Sequence, residues 1–186
     1  MIKVLVALVG LIIFSLAVHA QSIPAAKNPK YNSQLNPDYN SSINPTYNSS
    51  INPQFNSSLN PEYNSFVNPN YNSSINPNYN SSINPKYNSS INPTLNPGVN
   101  PTLSVWTGFY IFNKKSDIIG VVVMTKQDIL LSFNTQGKWN GYLAPNSQGG
   151  YNMFSAEGEW IGYLIHNSQT GYNLFSKKGE WLGFLS

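Results

Sequence analysis

The segment Trp160-Ile161-Gly162-Tyr163-Leu164 is one of three closely matched stretches in the C-terminal half of the chain. The other two begin at Trp139 and Trp181, so the copies are spaced by 21 residues, and each is preceded by the pattern Phe-x-x-x-Gly-x-Trp. A related stretch begins at Trp106. Glycine between two aromatic-rich runs supplies the left-handed position of a tight turn, so each unit predicts one β-hairpin.

The region 104–186 is therefore predicted to be an all-β domain, an antiparallel meander of Trp-x-Gly-aromatic hairpins. About eight candidate strands can be counted, and short loops join them: 105–112, 118–124, 129–133, 138–143, 151–155, 159–165, 172–176 and 180–185. Because short loops make sequence neighbours pair in the sheet, the strands form either an open sheet or a small barrel.

The period of two along each Trp strand predicts which side chains share a face. Trp160, Gly162 and Leu164 alternate to one side, and this set hardly changes between copies, as expected for a packed face. The opposite side holds four further aromatic residues: Phe109, Tyr142, Tyr163 and Phe184. These four are either buried as well or form an exposed platform on which a sugar or another protein could stack.

Two loops between the hairpin units nearly match in sequence. They run over 146–152 and 167–173, and both combine amide side chains with a tyrosine. Amides beside an aromatic ring can bind sugar hydroxyls, although turns require the same residue types. The candidate loop contacts are Asn146, Gln148, Asn167 and Gln169.

Upstream, residues 28–91 repeat the octad Asn-Pro-x-Tyr-Asn-Ser-Ser-Ile eight times without a change of register. Asn-Pro specifies a β-turn and places the variable third position at its exposed corner. Burying the two large apolar side chains of one octad contributes about 4 kcal/mol, whereas ordering its eight residues costs about 12 kcal/mol. The octads are therefore predicted to form a largely disordered, turn-rich spacer, with a stacked solenoid as the alternative. A tetrapeptide-repeat linker follows at 92–103.

The octads also contain two short motifs. Asn36-Pro37-Asp38-Tyr39 and its copies resemble the cytosolic sorting and adaptor-binding motif that phosphotyrosine-binding-type domains recognise. Asn-Ser-Ser is an N-glycosylation sequon wherever a eukaryotic secretory route applies. Its six copies begin at Asn40, Asn48, Asn56, Asn72, Asn80 and Asn88.

The start of the chain predicts export. Lys3 precedes an apolar run over 4–18, and small residues stand one and three positions before Gln21. Residues 1–20 are therefore predicted to be a cleaved secretory signal rather than an uncleaved anchor, leaving 21–27 as the mature N-terminal segment. No later run approaches 18 apolar residues, so we expect a secreted or cell-surface protein without a transmembrane segment after cleavage.

Residue types that catalysis needs are scarce. The chain has no cysteine, and His166 is the single histidine after the predicted signal. Glu159 and Glu180 are separated by a whole repeat unit, which does not suit a pair of catalytic carboxylates. The formal charge of +3 comes from lysines alone, which makes nucleic acid a poor candidate partner. We therefore expect no enzyme activity, no cofactor and no metal.

Together these features predict a secreted, non-enzymatic surface or matrix protein, in which a repeat spacer presents a β domain that binds a glycan or an extracellular protein. One alternative is a self-associating, tyrosine-rich extracellular structural protein. A second alternative is a secreted effector that presents Asn-Pro-x-Tyr motifs to host adaptor domains.

Overall fold

The computed structural model describes residues 23–100, 108–146, 148–167 and 171–186. The predicted signal peptide, the stretch 101–107 with Trp106, and Gln169 lie outside the described residues. Two parts make up the described chain: a continuous array of turns over 23–100 and an eight-stranded antiparallel barrel from residue 109 onward.

The predicted all-β architecture of the C-terminal region is confirmed, and the sheet is closed. The strands run in sequence order around the barrel, and β1 pairs with β8 through Ile111 and Leu185. Their bounds are Phe109–Asn113 (β1), Ile118–Met124 (β2), Leu130–Asn134 (β3), Trp139–Pro145 (β4), Tyr151–Ser155 (β5), Trp160–His166 (β6), Tyr172–Ser176 (β7) and Trp181–Leu185 (β8).

The predicted hairpin turns are also present. Gly137, Gly158 and Gly179 have φ values of 74°, 92° and 82°, the left-handed conformation that glycine adopts without strain. The tight hairpins β1–β2, β3–β4, β5–β6 and β7–β8 lie at one end of the barrel. The longer loops, including 146–150, lie at the other end because antiparallel strands alternate in direction.

A β-bulge in each Trp strand changes the predicted faces. Phe154 pairs with Trp160, whereas the preceding Met153 pairs with Gly162, so Ile161 is an extra residue between them. The bulge therefore puts Trp160 on the opposite side from Gly162 and Leu164. The prediction that Trp, Gly and Leu share one face is wrong at Trp, because a single inserted residue breaks the period of two.

The Gly and Leu side of the strands forms the barrel interior. Its buried cluster draws side chains from all around the sheet: Ile111, Val122, Leu130, Leu143, Leu164, Leu174 and Leu185. At the bulge, a Cβ on Gly162 would collide with the backbone carbonyl oxygen of Phe175. The indole nitrogen of Trp160 donates to the Gly162 carbonyl at 2.7 Å. Glycine is thus required where the bulged strand presses on its neighbour.

The outer face of the barrel is apolar and almost wholly buried, because the turn array packs over it. Ile83 and Ile91 of the octads belong to the same buried cluster as the outward-facing barrel residues, and Ile51 and Ile75 pack against that cluster. The barrel side of this cluster includes Phe112, Val121, Leu131, Phe133, Tyr142, Phe154, Tyr163, Phe175 and Phe184.

Each octad consists of two consecutive turns. In the first, the carbonyl of Asn36 accepts from the backbone nitrogens of Tyr39 and Asn40; in the second, Asn40 caps a 3₁₀ turn. The 3₁₀ segments are Ala25–Lys27 (η1), Ser41–Ile43 (η2), Ser49–Ile51 (η3), Ser65–Val67 (η4), Ser73–Ile75 (η5), Ser81–Ile83 (η6), Ser89–Ile91 (η7) and Pro97–Val99 (η8). The variable third position is exposed in every octad, as predicted.

Asparagine side chains bond each octad to the one before it. Asn52 Nδ2 donates to the carbonyl of Pro45 at 3.0 Å, while its Oδ1 accepts from the backbone nitrogen of Gln54 at 2.9 Å. Asn48 Nδ2 donates to the carbonyl of Ser42 at 2.8 Å. Successive copies therefore stack through side-chain-to-backbone hydrogen bonds that recur along the array.

The array winds around the barrel against the order of the strands. Ser116, in the β1–β2 hairpin, donates to Asn28, and Gln54 donates to the Lys177 carbonyl in the β7–β8 hairpin. Farther along, Asn78 donates to the Ala156 carbonyl in the β5–β6 hairpin. The cation of Lys86 lies over Trp139 beside the β3–β4 hairpin. The array thus contacts all four hairpins in turn.

The repeat length of the array matches the repeat length of the barrel. Asn173 Nδ2 donates to the Leu35 carbonyl at 2.9 Å, and Asn152 Nδ2 donates to the Leu59 carbonyl at 2.8 Å. The asparagines are separated by 21 residues, one hairpin unit, and the leucines by 24, three octads. Three octads therefore span one hairpin of the barrel.

The prediction of a largely disordered spacer differs from this structure. It considered burial only within the array, whereas six of the eight eighth-position aliphatics are buried in the structure; Leu35 and Ile83 are each 1% exposed, and Ile83 belongs to a cluster with barrel residues. Buried asparagines recur with the three-octad period at Asn28, Asn52, Asn76 and Asn100. The barrel supplies the apolar partner that each octad lacks on its own.

Candidate functional site

The four predicted platform residues do not form one exposed row. Tyr142, Tyr163 and Phe184 lie on the outer barrel face, where the array leaves them at most 1% exposed. Phe109 packs with the interior cluster and meets Tyr172 edge-on, with 5.8 Å between the ring centroids. Tyr142, Tyr163 and Phe184 are thus buried beneath the array, whereas Phe109 is partly buried on the interior side.

Two of these buried rings carry polar atoms without a partner. The hydroxyls of Tyr142 and Tyr163 make no hydrogen bond within the described chain. Burial raises the pKa of both phenols far above the ordinary value of 10. Tyr142 stacks on Phe154 and Tyr163 on Phe175, with centroid distances of 5.3 Å and 5.6 Å. We therefore assign both tyrosines to packing between array and barrel.

The aromatic side chains that remain accessible belong to the array. The fourth octad position points away from the barrel, and these eight rings are 66–79% exposed. We call them the ring belt: Tyr31, Tyr39, Tyr47, Phe55, Tyr63, Tyr71, Tyr79 and Tyr87. Because Asn and Pro of the same turn face the barrel and are mostly buried, each ring is held outward on an anchored turn.

Residues beside the ring belt give it a mixed, weak charge. The exposed third position carries a lysine at Lys30 and Lys86 and a carboxylate at Asp38 and Glu62, and the other octads have neutral side chains there. The belt is therefore a chiefly aromatic and amide surface rather than an electrostatic one.

A second accessible feature lies where the array meets the long-loop end of the barrel. We call this space, of about 230 Å³, the junction cavity. The array lines it with Ser42, Ile43, Ile51 and Leu59. The barrel lines it with Asn146, Gln148, Gly150, Leu164, Ile165 and His166.

Of the candidate loop contacts that the structure describes, two line this cavity and one does not. Asn146 and Gln148 do so, and Asn146 Oδ1 accepts from the backbone nitrogens of Gln148 and Gly150, both at 3.0 Å. Asn167 does not line the cavity; it is buried in its own loop and accepts from the Gly171 nitrogen. Gln169 lies outside the described residues. The array residues that line the cavity could not be predicted from the loop sequence.

An aromatic cluster at the long-loop end of the barrel was missed by the sequence analysis. Tyr172 contacts Tyr151 and His166 edge-on, at centroid distances of 5.4 Å and 5.3 Å. Burial, followed by the neighbouring Tyr172, raises the pKa of Tyr151 to about 12. The matched positions of Tyr151 and Tyr172 in the two loops were the available signal.

The six sequon asparagines take part in the array's hydrogen bonding. In each, Oδ1 accepts from the backbone nitrogen of the serine two residues on, and from its hydroxyl at 2.6–2.7 Å. Nδ2, the atom that would carry a glycan, donates to the carbonyl six residues earlier at 2.6–2.9 Å. The asparagine and hydroxyl of each sequon thus have a structural use in the turn.

The described residues offer few groups for chemistry. No cluster of three or more acidic, histidine or cysteine side chains that could hold a metal occurs among them. Across the same residues, no helix has the length and apolar character needed to cross a membrane. Comparison with family models, curated proteins and solved structures finds no significant match to this chain.

Proposed function

We propose that this chain is a secreted, non-enzymatic surface or matrix protein that binds an extracellular glycan or protein through the ring belt. One observation carries the proposal: eight aromatic side chains are 66–79% exposed at a fixed interval along an anchored array. Large exposed apolar side chains in a regular row are typical of interaction surfaces.

The array's attachment to the barrel favours binding through these rings. Each turn is capped by asparagine and anchored by a buried proline, so little backbone freedom is lost when a partner contacts its ring. A phenol ring presents an apolar face and a polar hydroxyl, which suits both sugar rings and protein surfaces. The barrel is the support on which the array is wound, in place of the spacer that the sequence predicted.

Repetition predicts multivalent binding to an extended partner. The eight positions are nearly equivalent, so a partner with repeated units can contact several rings at once, and linked weak contacts raise overall avidity. A single ring contact contributes about 0.5–1.5 kcal/mol. We therefore expect strong retention on polymers and weak binding of short fragments.

A graded ring-removal series tests this proposal. The mature protein and variants with Tyr39, Tyr47, Tyr63 and Tyr71 changed to Ala, singly and together, are passed over immobilised polysaccharides and extracellular-matrix proteins. Retention should fall about two- to tenfold with each ring lost. The matched control changes the exposed third position instead, with Thr46→Ala and Asn70→Ala, and should keep wild-type retention. A fourfold ring variant that folds and binds like the wild type would refute the proposal.

The self-associating structural protein remains the second candidate, and the same belt supports it. The rings are uncovered in a single chain, and the surrounding charge is low, so belts of two copies repel each other weakly. Sedimentation velocity across a hundredfold concentration range distinguishes the two candidates. Assembly that the fourfold ring variant abolishes, without retention on any polymer, would favour self-association.

The effector alternative is disfavoured by the position of its motif. An adaptor domain of this kind adds the peptide as a strand and holds the following turn. In the array, Asn52 and Pro53 of one copy are buried, and the prolines of the other octads are buried as well. An adaptor would have to detach the array before it could reach the motif.

A further inference from the structure

The junction cavity differs from the repeat-equivalent place in the neighbouring hairpin unit. There Ile129, 21 residues before Gly150, is fully buried in the cluster that also contains Ile83. Ile83 is 24 residues after Leu59, which lines the cavity. Gly150 thus has no side chain at the position where the neighbouring unit buries Ile129.

Close packing of the backbone requires glycine at position 150. A Cβ on Gly150 would collide with the carbonyl oxygen of Leu164 and come within 3.0 Å of Asn146 Nδ2. No larger residue can therefore occupy this position in the same conformation. Gln127, the repeat equivalent of Gln148, donates to Ser82 Oγ at 3.1 Å and accepts from Asn80 at 2.9 Å. Gln148 instead lines an open space.

The two walls of the cavity differ in chemistry. Ile43, Ile51 and Leu59 of the array form an apolar wall, whereas Asn146, Gln148 and His166 supply polar groups. Asn146 Oδ1 is held by two backbone nitrogens of its own loop, so Nδ2 is the group of this amide that can donate to a ligand. No carboxylate and no lysine is among the described residues that line it.

These features select a class of ligand. A volume of about 230 Å³ is smaller than the roughly 300–1,000 Å³ of sites for drug-sized molecules. The ligand should be uncharged, should present hydroxyls to amides, and should have an apolar face for the isoleucines. We propose that the junction cavity binds one neutral sugar ring, free or at the end of a glycan, between the array and the β4–β5 loop.

This site is separate from the ring belt and does not depend on the proposed belt function. Ligand-observed saturation-transfer NMR on the whole mature protein, with neutral hexoses and N-acetylhexosamines as probes and glucuronate for comparison, tests it. At least one neutral sugar should bind with a dissociation constant of about 1 mM, the value for some 4 kcal/mol of binding. Glucuronate should bind more weakly because no lysine is found among the described residues that line the cavity.

Two variants locate the site. Gln148→Ala removes one amide, and Asn146→Asp keeps the acceptor that caps the loop while replacing the donor. Each should weaken binding about tenfold. Gln136→Ala, the same change as at Gln148 but in the exposed β3–β4 hairpin, should leave binding unchanged. Far-UV circular dichroism and the unfolding midpoint confirm that each variant is folded.

The outcomes separate this inference from the belt proposal. Absence of saturable binding by every neutral sugar, or binding that both cavity variants leave intact, overturns the inference. Sugar binding lost in the fourfold ring variant but kept by the cavity variants would also overturn it, while favouring the belt. Binding that the ring variant keeps and Gln148→Ala weakens supports the cavity site.

Discussion

Replacing Leu35 with alanine should destabilise the whole protein, although this residue lies in a low-complexity repeat. Leu35 is 1% exposed, and its carbonyl accepts from Asn173 of the barrel at 2.9 Å. Truncating a buried leucine to alanine costs about 2–5 kcal/mol, from lost burial and the remaining cavity. Urea unfolding of the mature chain, followed by tryptophan fluorescence, should show this loss in the free energy of unfolding. In a thermal scan of the same variant, the midpoint temperature should fall by about 2–4 °C per kcal/mol.

The chain provides a matched control for this change. Leu95 lies in the same Asn-Pro repeat region but is 64% exposed, so Leu95→Ala should alter the free energy of unfolding by less than about 0.5 kcal/mol. Because both leucines lie in the repeat region, a difference in stability between the two variants cannot come from composition or repeat context. If Leu35→Ala and Leu95→Ala prove equally mild, the array does not pack on the barrel, and the account of its burial fails.

Three further predictions use the same unfolding assay. Asn152→Ala removes the buried donor to the Leu59 carbonyl and should cost about 1–3 kcal/mol; a change within error would contradict the array–barrel bond. Gly162→Ala forces a Cβ onto the Phe175 carbonyl and should cost about 1–3 kcal/mol, whereas Gly98→Ala, where a Cβ meets only the Asn96 side chain, should be mild. Tyr163→Phe removes an unpaired buried hydroxyl and should be neutral or stabilising, as Phe184 at the repeat-equivalent position suggests. Burial raises the folded-state pKa of Tyr163. The contribution that protonated Tyr163 makes to the free energy of unfolding is therefore complete below the unfolded-state pKa of about 10 and is lost as the pH rises above that value. The phenylalanine variant should therefore lose less stability between about pH 10 and 11 than the wild type.

Local sequence patterns predicted the hairpin turns correctly, but they did not predict the faces of the Trp strands or the closure of the sheet. Gly137, Gly158 and Gly179 lie in the left-handed turns that their spacing indicated. Trp160 was assigned to the wrong face because the bulge at Ile161 leaves no mark in a period-two pattern. Closure of the barrel through Ile111 and Leu185 joins residues from opposite ends of the domain, which the meander alone left open.

The array shows why the burial argument failed. Each octad was weighed as an isolated unit, but the barrel residue Asn173, which donates to the Leu35 carbonyl, is 138 residues away. The invariant aliphatic at the eighth position was a signal that the array packs against something. The similar lengths of three octads and one hairpin unit could have indicated that the array packs on the barrel. In the junction cavity, Asn146 and Gln148 could be predicted from their loop, whereas Ile43 and Ile51 depend on that winding.

Amide hydrogen exchange on the intact mature protein tests the central claim most directly. The claim is that the octads fold as one layer around the barrel. The backbone amides of Tyr39, Asn40 and their equivalents donate to asparagine carbonyls in every octad. These amides should exchange far more slowly than in a free octad peptide and should lose protection together with the barrel strands as denaturant is added. Exchange at free-peptide rates throughout 28–91, beside a protected barrel, would contradict the account.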